Sequence, residues 1–176
     1  MALRTVFTMS LAAAAALVIA AASVLAGTDN VAFPSNYKTA FTFYGTVDRA
    51  DNKTVRDLYV NKAAFDAIKA GRPVPSGAVF TMEVYRAKLD AAQNPEKDAQ
   101  GRLIKDGAPG VFVMEKRTGW GGEYAADIRN GEWEYARFLA DGKRFENPDM
   151  KACFECHKRL EGVDFLFSTD RVKAKQ

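Results

Sequence analysis

From residue 39 onward the apolar positions fall in short runs, most of them with a period of two. Residues 39–47 set Phe41, Phe43 and Val47 in alternation, the spacing of a half-buried strand. Residues 54–60, ending Leu58-Tyr59-Val60, form the next strand. Asn61 is placed to cap a short helix over 62–70, closed by Gly71 and followed by Pro73 and Pro75. Residues 79–88 read as a strand with Val79, Thr81, Glu83 and Tyr85 on one face and Phe80, Met82 and Val84 on the other. The segment 90–110, rich in Gln, Asn, Pro, Gly and charge, predicts a long exposed connection. A strand returns over 111–117, a glycine-rich turn surrounds Trp120, and 132–140 alternates again before the Asp141-Gly142 turn. Asn147-Pro148-Asp149 then precedes a helix over roughly 150–160. A last short strand is expected over 163–168 and a polar tail over 171–176. The pattern predicts an α+β fold, a strand-rich body followed by a C-terminal helix.

The start of the chain has a different character. Residues 1–26 carry one charge, Arg4, then the apolar run 11–20, then Val24-Leu25-Ala26 before Gly27. A basic start, a short apolar middle and small residues before the break mark a secretory signal peptide. Ser23 interrupts the apolar stretch and no charged stop-transfer flank follows, so cleavage is favoured over a retained membrane span. Residues 27–176 remain, about 150 positions, enough for one domain with a core of its own. The formal charge of +3 becomes +2 without Arg4, and the charges are mixed rather than clustered, which excludes a nucleic-acid or polybasic membrane-binding class.

Candidate chemistry is concentrated in one place. The two cysteines and the single histidine all fall within Cys153-Phe154-Glu155-Cys156-His157. A two-residue gap inside a helix is poor geometry for a structural disulfide, though a redox pair stays open. Zinc lacks the further cysteines or histidines that its site requires. What remains is covalent attachment of one haem c through Cys153 and Cys156, for which Cys-x-x-Cys-His is the signature. The thiols add across the two haem vinyl groups, and the adjoining histidine is held under the iron as axial ligand. Export fits, because c-type haem is attached outside the bacterial cytoplasmic membrane, so a periplasmic location is expected.

Residues around that signature resemble a known family. Trp133-x-Tyr135-x-x-Phe138, Ala152-Cys153-x-x-Cys156-His157-Lys158 and Asp164-Phe165-Leu166-Phe167 are similar to the C-terminal half of the cytochrome P-460 family, which includes the cytochromes c′-beta. Phe33-Pro34-x-Asn36-Tyr37 and residues 77–84 extend the resemblance over nearly all of 27–176. It implies a mainly antiparallel β fold, a homodimer, and haem held by one histidine with an open distal face. Members divide by chemistry. True cytochromes P-460 cross-link a lysine to the haem and oxidise hydroxylamine, whereas c′-beta members lack the cross-link and bind nitric oxide or similar gases. The resemblance places that lysine directly before a glutamate on the strand matching 79–84. Glu83 is present, but Met82 stands in the lysine's position.

These readings lead to one preferred function and two others. The preferred one is a periplasmic haem protein with His157 as proximal ligand and an open distal site for nitric oxide or a similar small gas. The second is a hydroxylamine or nitric oxide oxidoreductase; the third is an electron carrier serving a partner cytochrome, which would need a sixth ligand. Met82, Met114 and Met150 are the candidates, with Met82 placed beside the haem by the resemblance. Lys88 is six residues beyond Met82 on an extended strand, roughly 20 Å away, and reads as solvated. Glu83 faces away from Met82 by parity. Phe41, Phe43, Phe80 and Phe112 are candidates for an apolar pocket. Trp133 and Tyr135 are candidates to pack on haem or meet a propionate, and Arg117 or Arg137 to pair with one.

Overall fold

The computed structural model describes residues 30–146 and 150–176; the leader expected at 1–26 and residues 147–149 lie outside the described residues. Five strands, β1 (Thr42–Arg49), β2 (Thr54–Val60), β3 (Val79–Ala87), β4 (Lys105–Lys116) and β5 (Trp133–Phe138), form one antiparallel sheet in chain order. Helices α1 (Tyr37–Ala40), α2 (Lys62–Lys69), α3 (Lys151–Lys158) and α4 (Thr169–Ala174) surround it, with a 3₁₀ turn at Glu161–Val163. This is the α+β architecture the hydrophobic pattern predicts. Among the described residues no helix is long and apolar enough to cross a membrane.

Alternation gives the sheet two unlike faces. One carries Leu58, Val60, Phe80, Met114, Trp133 and Tyr135, packed against Ile68, Phe154, Leu166 and Val172 from the helical segments. The other carries Val111, Val113, Ala136 and Phe138 beneath Val31 and Tyr37 of the N-terminal segment. That second face also buries four carboxylates, Asp57, Glu83, Glu115 and Glu134. They sit as two cross-strand pairs, Asp57 opposite Glu83 and Glu115 opposite Glu134. Like charges so placed repel, and three of the four are matched by cations: Lys105 on Asp57, Lys38 on Glu83 and Arg117 on Glu115.

Four local expectations are corrected. Residues 39–40 belong to α1, because the Asn36 carbonyl accepts from the Thr39 and Ala40 amides and the strand starts only at Thr42. β4 begins at Lys105, not 111: Arg86 pairs with Asp106 and Ala87 with Lys105, so the polar stretch 105–110 extends the hairpin. The expected strand over 163–168 does not form. Asp164 and Phe165 adopt left-handed conformations (φ 54° and 61°) that turn Phe165 and Leu166 inward instead. The polar tail is α4, which buries Val172 completely and whose Lys173 and Lys175 carbonyls accept from Lys69 Nζ of α2. As the sequence anticipates, Asn61 caps α2 by accepting from the Ala64 amide at 3.2 Å.

Candidate functional site

Positions 153, 156 and 157 are spaced i, i+3, i+4, so α3 carries Cys153, Cys156 and His157 on one side. The helix is anchored by the residue between them. Phe154 is fully buried and packs against Tyr124 and Tyr135, with ring centroids 4.6 and 4.8 Å away. Buried Asn130 donates from its amide to the Phe154 carbonyl at 3.1 Å and to the Tyr135 hydroxyl at 2.8 Å. Lys158, directly after the histidine, donates to the Arg129 carbonyl at 3.1 Å. The cysteine-bearing helix is thereby tied to the loop before β5.

Between α3 and the sheet lies a cavity of about 720 Å³. The sheet supplies Leu58, Phe80, Met82 and Phe112 to its lining; α3 supplies Cys153, Cys156 and His157. Both cysteines are present as thiols, half-buried. Four arginines, Arg49, Arg56, Arg159 and Arg171, also border the space. Arg49 pairs with Asp51, but Arg56 Nε is buried with no hydrogen-bond partner among the described residues. A buried donor of that kind calls for an acceptor.

The orientation of His157 is set by the backbone. Its Nδ1 lies 2.7 Å from the Phe165 carbonyl oxygen, which can only accept, so Nδ1 carries the proton and the Nε2 lone pair is left for a metal. The Tyr135 and Phe167 rings each lie 5.0 Å from the His157 ring by centroid. Burial pushes the imidazole below its ordinary pKa, against the raising effect of the Phe165 carbonyl. A neutral imidazole is the form that binds metal.

The other sequence candidates divide clearly. Met82, Phe80, Phe112, Tyr135, Met114 and Met150 line the cavity. Trp133 is buried beside it, and its indole donates to Asp164 Oδ1 at 3.2 Å. Phe41 packs on the far face, and Phe43 is half-exposed against Tyr59. Glu83 is on the far face with Lys38, Tyr37, Tyr59 and Tyr85 around its carboxylate. Lys88 pairs with Glu96 at the surface. Arg117 pairs with Glu115, while Arg137 stacks 3.9 Å from the Phe145 ring centroid and 5.3 Å from that of Phe112. Arg56 was legible by parity, since it shares a face with Leu58 and Val60, but a lone arginine in a strand draws no notice. Nothing in the sequence signals Asn130 or the Phe165 carbonyl.

The donor set fits haem c. An apolar-walled cavity of ligand-binding size holds two thiols and one imidazole with its outer nitrogen free, and the orphaned Arg56 donor suits a carboxylate group. The chain matches the family model described as Cytochrome P460 over residues 34–168. No curated protein matches it.

Proposed function

The chain belongs to the cytochrome P460 family and is a c-type haem protein, and from that premise we propose that it binds nitric oxide or a similar small neutral gas. Haem supplies an iron able to bind such a ligand and to change redox state. Cys153 and Cys156 would hold the group covalently and His157 would ligate its iron through Nε2. The observation that carries the gas-binding reading is the chemistry of the cavity wall. Met82 lines it together with Leu58, Phe80 and Phe112, so no lysine amine stands where the P-460 cross-link requires one. An apolar wall of this kind disfavours ionic ligands, which lose hydration on approaching it, while a diatomic gas loses almost none. Tyr135 and Phe167 pack against the imidazole ring. Arg56 is the donor available to a haem carboxylate. We also propose export through the leader at 1–26 to the periplasm, with residues 27–176 as the mature domain, and assembly as a homodimer.

The absorption spectrum of the reduced holoprotein tests this reading. A high-spin spectrum that shifts on adding nitric oxide is expected, and Met82→Ala should leave the spin state unchanged. A sharp low-spin spectrum abolished by Met82→Ala would make Met82 the sixth ligand and the protein an electron carrier. A red-shifted chromophore typical of a lysine cross-link would instead favour hydroxylamine oxidation.

A further inference from the structure

Asp164 stands one residue before the carbonyl that orients His157. Its own backbone is left-handed at φ 54°, and Phe165 follows at φ 61°. Consecutive left-handed non-glycine residues are costly and persist only where surrounding contacts enforce them. The contacts here converge on one carboxylate. Lys116 Nζ donates to Asp164 Oδ1 at 3.1 Å and Oδ2 at 2.9 Å, and Trp133 Nε1 donates to Oδ1 at 3.2 Å. Lys116 and Trp133 are direct cross-strand neighbours on β4 and β5. Lys116 also donates to the Val74 carbonyl, so its ammonium is fixed from a third direction. The Lys116 side chain is only 17% exposed, which spares the pair much of the screening a surface salt bridge suffers.

From this clamp the restraint runs outward through the backbone. The Phe165 amide donates to the Leu160 carbonyl at 2.8 Å, and the Leu160 amide to the His157 carbonyl at 2.9 Å. The Phe165 ring packs over Gly131, where an added Cβ would lie 3.1 Å from Cε2. With both its amide and its ring held, Phe165 presents its carbonyl oxygen 2.7 Å from His157 Nδ1.

We propose that Asp164 is a positioning residue for the iron ligand: clamped by Lys116 and Trp133, it fixes the Phe165 carbonyl and so sets the direction and basicity of the His157 bond to iron. This rests on the reading of His157 as the axial ligand. A firm acceptor on Nδ1–H raises the electron density at Nε2, and outer partners of this kind commonly change metal affinity 10- to 100-fold. Trp133 acts through Asp164 and not through contact with the haem.

The test is the iron–imidazole stretching band of the reduced holoprotein, measured by resonance Raman spectroscopy, together with the reduction potential. Asp164→Gly keeps the left-handed backbone without steric cost while deleting the carboxylate. Trp133→Phe keeps an aromatic ring and deletes the N–H donor together with part of the buried indole, and serves as the reading if the glycine variant does not fold. Both should shift the band to lower frequency and broaden it, with a higher potential and unchanged haem stoichiometry. The shift should be smaller in Trp133→Phe, and Asp164→Asn should recover part of it. A wild-type band that both variants leave in place overturns this inference alone. Absence of an iron–imidazole band in the wild type, or its survival in His157→Ala, overturns the ligand assignment and this inference together.

Discussion

Met82 and Glu83 are chain neighbours on β3 that serve opposite sides of the sheet. Met82 lines the cavity, while Glu83 receives Tyr37 at 2.7 Å, Tyr85 at 3.1 Å, Tyr59 at 3.2 Å and Lys38 at 2.7 Å on the far side. Burial alone would push the Glu83 carboxyl up, but Lys38 and the tyrosine hydroxyls outweigh it and hold the group below the ordinary carboxylate range. The same geometry drives Tyr37 upward, through its own burial first and then through Glu83. Glu83 is therefore a structural acid, although it adjoins the position that in the resembling family carries the cross-link. Glu83→Gln should lower stability by about 2 kcal/mol, because an amide cannot accept from every donor now aimed at the carboxylate. Its nitric oxide affinity should match the wild type within a factor of two or so. Denaturant unfolding and a ligand titration on the same preparation check both halves; a variant of normal stability that lost gas binding would return Glu83 to the site.

At the scale of elements, α4 shows what local sequence leaves illegible. Residues 171–176 read as a polar tail because only Val172 is strongly apolar there. Yet Val172 is completely buried, and Lys69 of α2 satisfies the carbonyls of Lys173 and Lys175. A partner 104 residues away in the chain makes this helix, and no periodicity within six residues can announce it. The strand expected over 163–168 misleads for a related reason. Its apolar run is real, but it is consumed by the left-handed pair at Asp164 and Phe165, held by Lys116 and Trp133 from the sheet. Where local pattern and tertiary demand agree, the reading holds: β2, the Asn61 cap and the Asp141-Gly142 turn fall where expected. That Cys153, Cys156 and His157 share one side of α3 and line one cavity was legible from their spacing, whereas the alignment of His157 depends on a main-chain carbonyl with no sequence signature. Val172→Ala should cost about 1–2 kcal/mol by cavity formation and should raise hydrogen exchange in α4 and the adjoining end of α2 before the sheet is affected. Exchange that rises uniformly over the molecule would show that α4 is no separate unit.

Considered as a whole, the molecule places its cofactor chemistry on one side of the sheet and a set of buried carboxylates on the other, and that second side gives stability an unusual dependence on pH. Asp57, Glu83 and Glu115 each have a cation, but Glu134 has no cationic partner among the described residues. Asn30 donates weakly to its two oxygens at 3.3 and 3.2 Å. Burial first, and then the neighbouring Glu123 carboxyl, raise Glu134 from an ordinary 4.5 to about 7 against the lowering effect of Asn30. The folded protein thus binds a proton that the unfolded chain has already released between those two values. Stability from this group is fully present below pH 4.5 and is lost as pH rises through about 7, by up to roughly 3 kcal/mol. Glu83 has the opposite sign: its depressed carboxyl contributes above the ordinary carboxylate pKa and is lost in more acid solution. The two windows do not coincide, so the contribution of this face is largest in mildly acid solution and weakens toward neutrality, against the depressed His157 imidazole, which acts in the opposite sense. Thermal melts of the holoprotein between pH 4.5 and 8 should show that decline, and Glu134→Gln, which keeps a proton-bearing group at the position, should flatten it. An unchanged slope in the glutamine variant would mean that the proton resides elsewhere on this face.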